Sequence, residues 1–236
     1  MAVEATGAPA GAPAEEPLPP LWLTLPEGFT ALDLDEDLGD RMARAAEDLD
    51  ALYPDTLPEQ KLSAVIAAET ALQAQLRDGV VHVSSCLVRA SDGEPVHGMF
   101  TVFVRPQELG VPGGYPARTA EELAEAWPDA DVGVVELPAG RAALAARDLA
   151  VPVPGAVWGV PESTVGRVRQ LELLLPHPWS PHVVAAVFTT EDLDHWDEWL
   201  PLLATALRGI SFHPPRDASS DTLPPEQWDK VRKAFG

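Results

Sequence analysis

The chain has 236 residues, with 37 Asp and Glu against 16 Lys and Arg, which gives a net charge of -21 at neutral pH. This charge repels the phosphates of nucleic acids and of anionic membranes, so neither is an expected partner. The single cysteine, Cys86, excludes an internal disulfide and any metal site built from several cysteines.

The domain organisation follows from composition. Residues 1–20 are rich in Ala, Pro, Gly and Glu without hydrophobic periodicity, which predicts a disordered tail. They lack the basic start and apolar run of a secretory signal, and no part of the chain has the ~18 apolar residues of a membrane span. We therefore expect a cytoplasmic protein with no membrane span. Residues 21–213 are predicted to form a single domain, and residues 214–236 a linker and a short C-terminal helix.

A strand and two helices are predicted at the start of the domain. Residues 18–29 alternate between two sets of side chains, as in a strand. Apolar residues then recur every three to four positions over 34–53 and over 58–79, which indicates two amphipathic helices. Between Glu27 and Glu59 the acidic residues far outnumber the two arginines. This acidic face is either a solvated surface or a docking surface for a basic partner. The second helix is expected to bury one stripe, made of Leu62, Val65, Ile66, Leu72 and Leu76.

A hairpin, a short helix and two more strands come next. Strands over 80–89 and 95–105 flank an Asp-Gly turn, and the second is apolar on both faces, so we expect it inside the sheet. A capping box at Thr119 predicts the start of a short helix. A strand over 131–137 and a tight turn follow. Residues 141–151 suit a helix by their alanines, but their position between strands favours an edge strand.

The last part of the domain has the clearest pattern. A strand over 164–175 and a proline-rich turn lead to residues 183–189, which have no polar face and predict a central strand covered on both sides. Thr190 is expected to cap the amphipathic helix that follows. Residues 210–213 are expected to return to the edge of the sheet. An antiparallel sheet flanked by helices accounts for all of these elements, which places the domain in the α+β class.

Three features coincide in this half of the chain. They are the strand, Pro-Ala-Gly turn and strand at 134–149, the strand that ends in Leu175-Pro176-His177-Pro178, and the apolar strand followed by a Thr-capped helix and Ile-Ser-Phe. Their order resembles the PsbP/Mog1-like α/β/α sandwich over about residues 132–212. Members of that fold include photosystem accessory subunits, regulators of a small GTPase and chaperones for secreted effectors. The resemblance therefore implies a mostly non-enzymatic role, and it carries over no functional residue, because no shared functional motif is present.

No catalytic motif is recognisable in the sequence. Cys86 lies in the middle of a strand on the same face as His82, so we interpret it as a buried structural thiol and not as a nucleophile. His82 and His97 could face each other across the hairpin, but two imidazoles leave a zinc site incomplete. The acidic residues at 191–198 are explained by the dipole of the helix that starts there. We therefore expect no metal and no cofactor.

Two sets of residues remain as candidates for a binding site. Trp158, Trp179 and Trp228 lie in loops or tails, where a large apolar ring either packs back onto the domain or binds a partner. Arg167 and Arg169 share one face of their strand and could grip an anion. The favoured hypothesis is a non-catalytic protein-binding accessory, chaperone or assembly factor, whose partner is another protein, with a basic one fitting the charge. The alternative is a small-ligand-binding protein or enzyme with an anion site between sheet and helices.

Overall fold

The computed structural model describes residues 18–153 and 164–214. Within these ranges the protein is α+β, as predicted, with helices packed against a seven-stranded antiparallel sheet and a separate two-stranded sheet. Trp158 and Trp228 lie outside the described residues. So do most of the predicted N-terminal tail and of the predicted linker and C-terminal helix.

The elements alternate between the sheet and its covering helices. The strands are β1 (Trp22–Leu23), β2 (Phe29–Ala31), β3 (Val80–Arg89), β4 (Pro95–Pro106), β5 (Asp131–Leu137), β6 (Gly140–Val153), β7 (Thr164–Pro176), β8 (His182–Thr190) and β9 (Ile210–Ser211). The helices are α1 (Leu38–Leu52), α2 (Pro58–Arg77), α3 (Tyr115–Ala126) and α4 (Trp196–Arg208). The large sheet has the order β2-β3-β4-β8-β7-β6-β5.

Each face of the large sheet has its own hydrophobic core. Phe100 of β4 and Phe188 of β8 point to the face covered by α4 and by the β1–β9 pair, where Trp199 is fully buried. Phe103 points to the opposite face and packs with Leu72 of α2. Tyr115 of α3 packs on Val183 and Leu174, which lie on that same side. The result is three layers, helix on sheet on helix.

The prediction of a central strand at 183–189 is confirmed. β8 lies between β4 and β7, and nearly all of its residues are buried because both faces are covered. β4 is also an interior strand, as expected from its two apolar faces.

Two predictions about the sheet edge are wrong. The strand at 141–151 is not an edge strand, because β5 folds back along β6 through a tight turn and becomes the edge itself. The alanines of β6 lie inside the protein, where Ala142, Ala143 and Ala145 are almost fully buried. Residues 210–213 do not join the large sheet; β9 pairs with β1 in the two-stranded sheet.

The starts of two helices also differ from the prediction. α3 begins at Tyr115, with a proline in its first turn, and Thr119 is buried inside the helix, where its side chain is no N-cap. Thr190 does not cap α4. Its hydroxyl donates to the His97 carbonyl (2.7 Å) and accepts from the Asp192 N–H (3.1 Å), and a short 3-10 turn separates it from the helix.

The predicted single stripe of α2 is divided between two sides of the helix. Val65 and Leu72 are buried against the domain. Leu62 and Ile66 are exposed, so α2 is apolar on a second side that no described residue covers.

Candidate functional site

The strand pairing of the large sheet is interrupted at one corner. β5 begins at Asp131, which lies opposite Ala146, whereas β6 continues for several residues beyond that point. From residue 147 to 153, β6 is paired with β7 on one side, and no described strand pairs with its other side. On the other side of β7, the residues before Arg169 have no partner in β8, because Arg169 pairs with Thr190, the last residue of β8. Residues 147–153 and 164–168 therefore form a two-stranded extension of the sheet, which we call the β6–β7 arm.

A cleft of about 520 Å³ lies at the base of this arm. One wall is the end of α3 and the turn after it, from Ala126 to Asp131, and the floor is β6 from Ala146 to Leu149. Arg169 and Trp196 complete it from the opposite side of the sheet. We call this space the edge cleft, because it takes the place where β5 would continue.

On the α3 side of the edge cleft, Arg147 is held in a fixed position. Its guanidinium carbon lies 3.3 Å from the centroid of the Trp127 ring, a stacked cation–π contact. Two of its nitrogens donate to Oε1 of Gln170 at 3.2 and 3.1 Å. The ring and the amide together orient the guanidinium along the surface of the sheet.

On the α4 side, Asp148 holds the two arginines singled out from the sequence. Nε of Arg169 donates to Oδ1 of Asp148 at 2.6 Å, and Nη2 of Arg167 donates to Oδ2 at 2.9 Å. The bond from Arg169 holds the pKa of the Asp148 carboxyl below its usual range, and the same bond raises the pKa of Arg169. Arg169 also lies 5.4 Å from the centroid of the Trp196 ring. Both arginines are thus bound by one carboxylate of the chain, which compensates one of their two positive charges.

Only one of the two predicted anion-binding residues lines the edge cleft, although both bond Asp148. Arg169 lines the edge cleft, whereas Arg167 lies outside it, with its side chain 68% exposed. The cleft also contains Asp129 and Asp131, which form no salt bridge with a described residue. Because acids outnumber arginines among the lining residues, the cleft is a poor site for an anion.

The sequence did not single out Trp127, Arg147 or Asp148. Asp148 is distant from Arg169 along the chain and meets it only through the β6–β7 register, in which the two residues are directly opposite. The available signal was the Arg-Asp pair within residues 142–153, which are otherwise apolar. A charged pair in such a strand indicates that the strand leaves the core at that point.

Trp179 lies at the other end of β7 from the edge cleft. It is 60% exposed, in the turn between β7 and β8, and its ring makes edge-on contacts with His177 (5.7 Å) and His213 (4.9 Å). Its backbone N–H donates to Nδ1 of His177 at 3.2 Å. The structure does not bring Trp179 together with Arg167 and Arg169.

The histidines and the cysteine considered for metal binding or nucleophilic catalysis lie in places that do not suit either role. His82 lies opposite Val102 and His97 opposite Leu87, so the two histidines do not face each other across the hairpin. Cys86 is fully buried, and burial raises the pKa of its thiol to about 11. Within the described ranges, no three His, Cys, Asp or Glu side chains are grouped closely enough to hold a metal ion.

The acidic residues before and within α4 have partners in the β3–β4 turn. Nε2 of His195 lies 3.0 Å from Oδ2 of Asp92, and Glu198 accepts from both the N–H and the hydroxyl of Ser91. Asp192 accepts from the N–H of His97 at 2.7 Å. We call these contacts the turn latch. They tie the β3–β4 turn to the start of α4, a role beyond the dipole interaction inferred from the sequence.

Comparison with known proteins does not assign the chain to a family. No protein-family model matches the chain, and neither does any curated protein or solved structure. The resemblance to PsbP/Mog1-like proteins stays a prediction. None of the helices in the described part of the chain is long and apolar enough to cross a lipid bilayer.

Proposed function

We propose that this protein is a non-catalytic, cytoplasmic protein-binding accessory, of chaperone or assembly type, which binds an extended segment of another protein along the free side of β6. The observation that carries the proposal is the end of β5 pairing at Asp131, beyond which β6 runs on with one side unpaired among the described residues. An unpaired strand presents a row of backbone N–H and C=O groups, which an added strand can bind.

The edge cleft supplies what such a segment needs besides backbone hydrogen bonds. A strand in line with β5 would direct alternate side chains to opposite faces of the sheet. One set would meet Trp127 and the other Trp196, and aromatic side chains at such positions are typical of binding sites. Asp129 and Asp131 at the cleft favour a segment with basic side chains, in agreement with the net charge of -21.

The test is affinity purification from the native source followed by mass spectrometry. We expect one partner to be retained by the wild type and lost from Trp127→Ala and from Asp131→Lys, with melting curves confirming that both variants fold. Trp179→Ala is the matched control, because its ring is exposed at the other end of β7. Addition of the partner should slow amide hydrogen exchange in residues 147–151 of β6. Failure to recover any partner, together with a rise in melting temperature caused by a metabolite, would refute the proposal.

A second candidate is a small ligand in the edge cleft. Its supporting observation is the volume of about 520 Å³, which lies in the range of ligand sites, with Arg169 in the lining. The anion form of this hypothesis requires Arg169 to exchange Asp148 for the ligand. It predicts that an anionic metabolite raises the melting temperature of the wild type but not of Arg169→Gln.

A further inference from the structure

The tip of the α1–α2 hairpin exposes four large apolar side chains. Tyr53 and Leu57 flank the turn between the helices, and Leu62 and Ile66 follow in the first turns of α2; their exposed fractions are 57%, 59%, 57% and 49%. Leu62 and Ile66 are neighbours on the helix surface because they are four residues apart. We call these four residues the hairpin patch. Exposed apolar groups concentrated in this way mark an interaction surface.

The charge around the hairpin patch is negative and not compensated. Three cations of the hairpin are already bound by carboxylates of the chain, in the pairs Arg41–Glu69 (2.8 Å), Arg44–Glu36 (2.5 Å) and Lys61–Asp50 (2.6 Å). Asp55 in the turn and Glu59 at the start of α2 form no salt bridge with a described residue. A segment that binds here should therefore combine an apolar side with basic flanks.

The chain contains a segment of that kind outside the described residues. In residues 224–236, Trp228, Val231 and Phe235 have the spacing of one helix face, and Lys230, Arg232 and Lys233 form the densest basic cluster of the sequence. Two of the three lysines of this acidic protein lie in that cluster. We propose that residues 224–236 dock on the hairpin patch of the same molecule.

The described part of the chain ends close enough to the hairpin patch for residues 224–236 to reach it. His213 packs against Trp179, in the turn between β7 and β8, and that turn is bonded to the end of β4 through Gln107 and Pro181. The end of α2 reaches the same part of β4. Leu62 lies ~23 Å along α2 from that end, and the helix and sheet layers to be crossed add ~20 Å. Residues 215–227 can span up to ~43 Å, so docking in the same molecule is sterically possible.

The experiment uses the full chain with a nitroxide spin label at Ala234→Cys. The native Cys86 is fully buried and does not compete for the label. We expect the methyl NMR signals of Leu62 and Ile66 to lose most of their intensity. Those of Leu137, which lies on the edge strand β5 and packs on the opposite face of the large sheet, should be unaffected. Equal loss at all three residues, or at none, would overturn the proposal.

Two variants and one mixing experiment sharpen the result. Lys230→Glu with Lys233→Glu should restore the Leu62 and Ile66 signals, and so should Trp228→Ser. Adding Asp55→Lys and Glu59→Lys to the Lys230→Glu/Lys233→Glu chain should bring the loss of signal back, because the charges are then exchanged. In a mixture, spin-labelled chains without isotope are combined with isotope-labelled chains without spin label. Signal loss in that mixture would mean docking on a second copy, which contradicts the proposal.

Discussion

Asp148 limits what the edge cleft can bind, because its one carboxylate bonds both Arg167 and Arg169 and compensates one of their two positive charges. An approaching anion would have to compete with charge-assisted hydrogen bonds that are already formed within the chain. The cleft therefore presents its remaining carboxylates, Asp129 and Asp131, more readily than its arginines. The preference of the site for basic ligands therefore depends on Asp148 together with Asp129 and Asp131.

We expect Asp148→Ala to create a weak anion site beside the edge cleft, between Arg167 and Arg169. The two guanidinium groups lie on the same face of β7, two residues apart, and lose their common partner in this variant. Calorimetric titration with inorganic phosphate should show affinity at least about tenfold above that of the wild type. Glu136→Ala is the control, because it breaks the exposed pair with Arg141 instead. Equal phosphate affinity of both variants would show that Arg167 and Arg169 are not available as a pair.

Cys86 should be unreactive in the folded protein. Burial raises the pKa of its thiol from 9.0 to about 11, so the thiolate fraction at a given pH falls ~100-fold before access is considered. We expect alkylation of the native protein by iodoacetamide to be slower than alkylation of the urea-unfolded chain by at least that factor. Rapid labelling under native conditions would show that the centre of β3 opens frequently.

Among the elements, α4 is joined to the β3–β4 hairpin by the turn latch rather than by apolar packing alone. His195 contacts Asp92 and lies in the field of Glu198 and Asp192. The bond to Asp92 raises the pKa of His195 above its ordinary value. A raised pKa in the folded state means that the folded protein binds the proton more tightly than the unfolded chain does.

The contribution of His195 to stability should therefore be full at acidic pH, below the ordinary histidine pKa, and should be lost as the pH rises through its raised value. We expect the difference in free energy of unfolding between wild type and His195→Gln to shrink from pH ~5 to pH ~9 in urea titrations. Burial lowers the pKa values of His82 and His177, which gives the opposite trend, but both are present in both proteins and cancel. A difference that does not depend on pH would mean that the latch does not involve a charged His195.

At this scale, the sequence predicted which segments are strands and helices better than it predicted how they meet. Hydrophobic periodicity indicated β4, β8 and α4, because their burial follows directly from their apolar faces. It could not give the position of β6 inside the sheet, since strand order depends on pairing between distant segments. The capping role assigned to Thr190 failed for a related reason, because its hydroxyl binds the carbonyl of His97 on another strand.

The candidate site was less predictable than the fold. Arg169 was identified from its place on an apolar face, but its partner Asp148 and the neighbouring Trp127 come from other elements. The two sides of α2 were merged into one stripe because Leu62, Val65 and Ile66 all fit helical spacing. Periodicity shows which residues share a helix face, and not which part of that face the rest of the molecule covers.

For the whole molecule, the net charge of -21 should weaken the folded state through repulsion among its carboxylates. Salt screens such repulsion over ~10 Å at 0.1 M. We therefore expect sodium chloride to raise the melting temperature. The rise should be smaller for the doubly substituted Glu47→Lys/Asp55→Lys, which reduces the charge of the acidic hairpin. A melting temperature that is unchanged or lowered by salt would show that the ion pairs of the chain outweigh the repulsion.

The place of β8 in the sheet has a consequence for synthesis. β8 pairs with β4 on one side and with β7 on the other, and it joins the half-sheet β2-β3-β4 to the half-sheet β5-β6-β7. As the chain leaves the ribosome, both halves are complete before residues 182–190 emerge, so each exposes an open strand in the nascent protein. Final closure also waits for β9, which pairs with β1 from the opposite end of the domain. The nascent chain is therefore most vulnerable to aggregation after β7 has emerged from the ribosome and before β8 does.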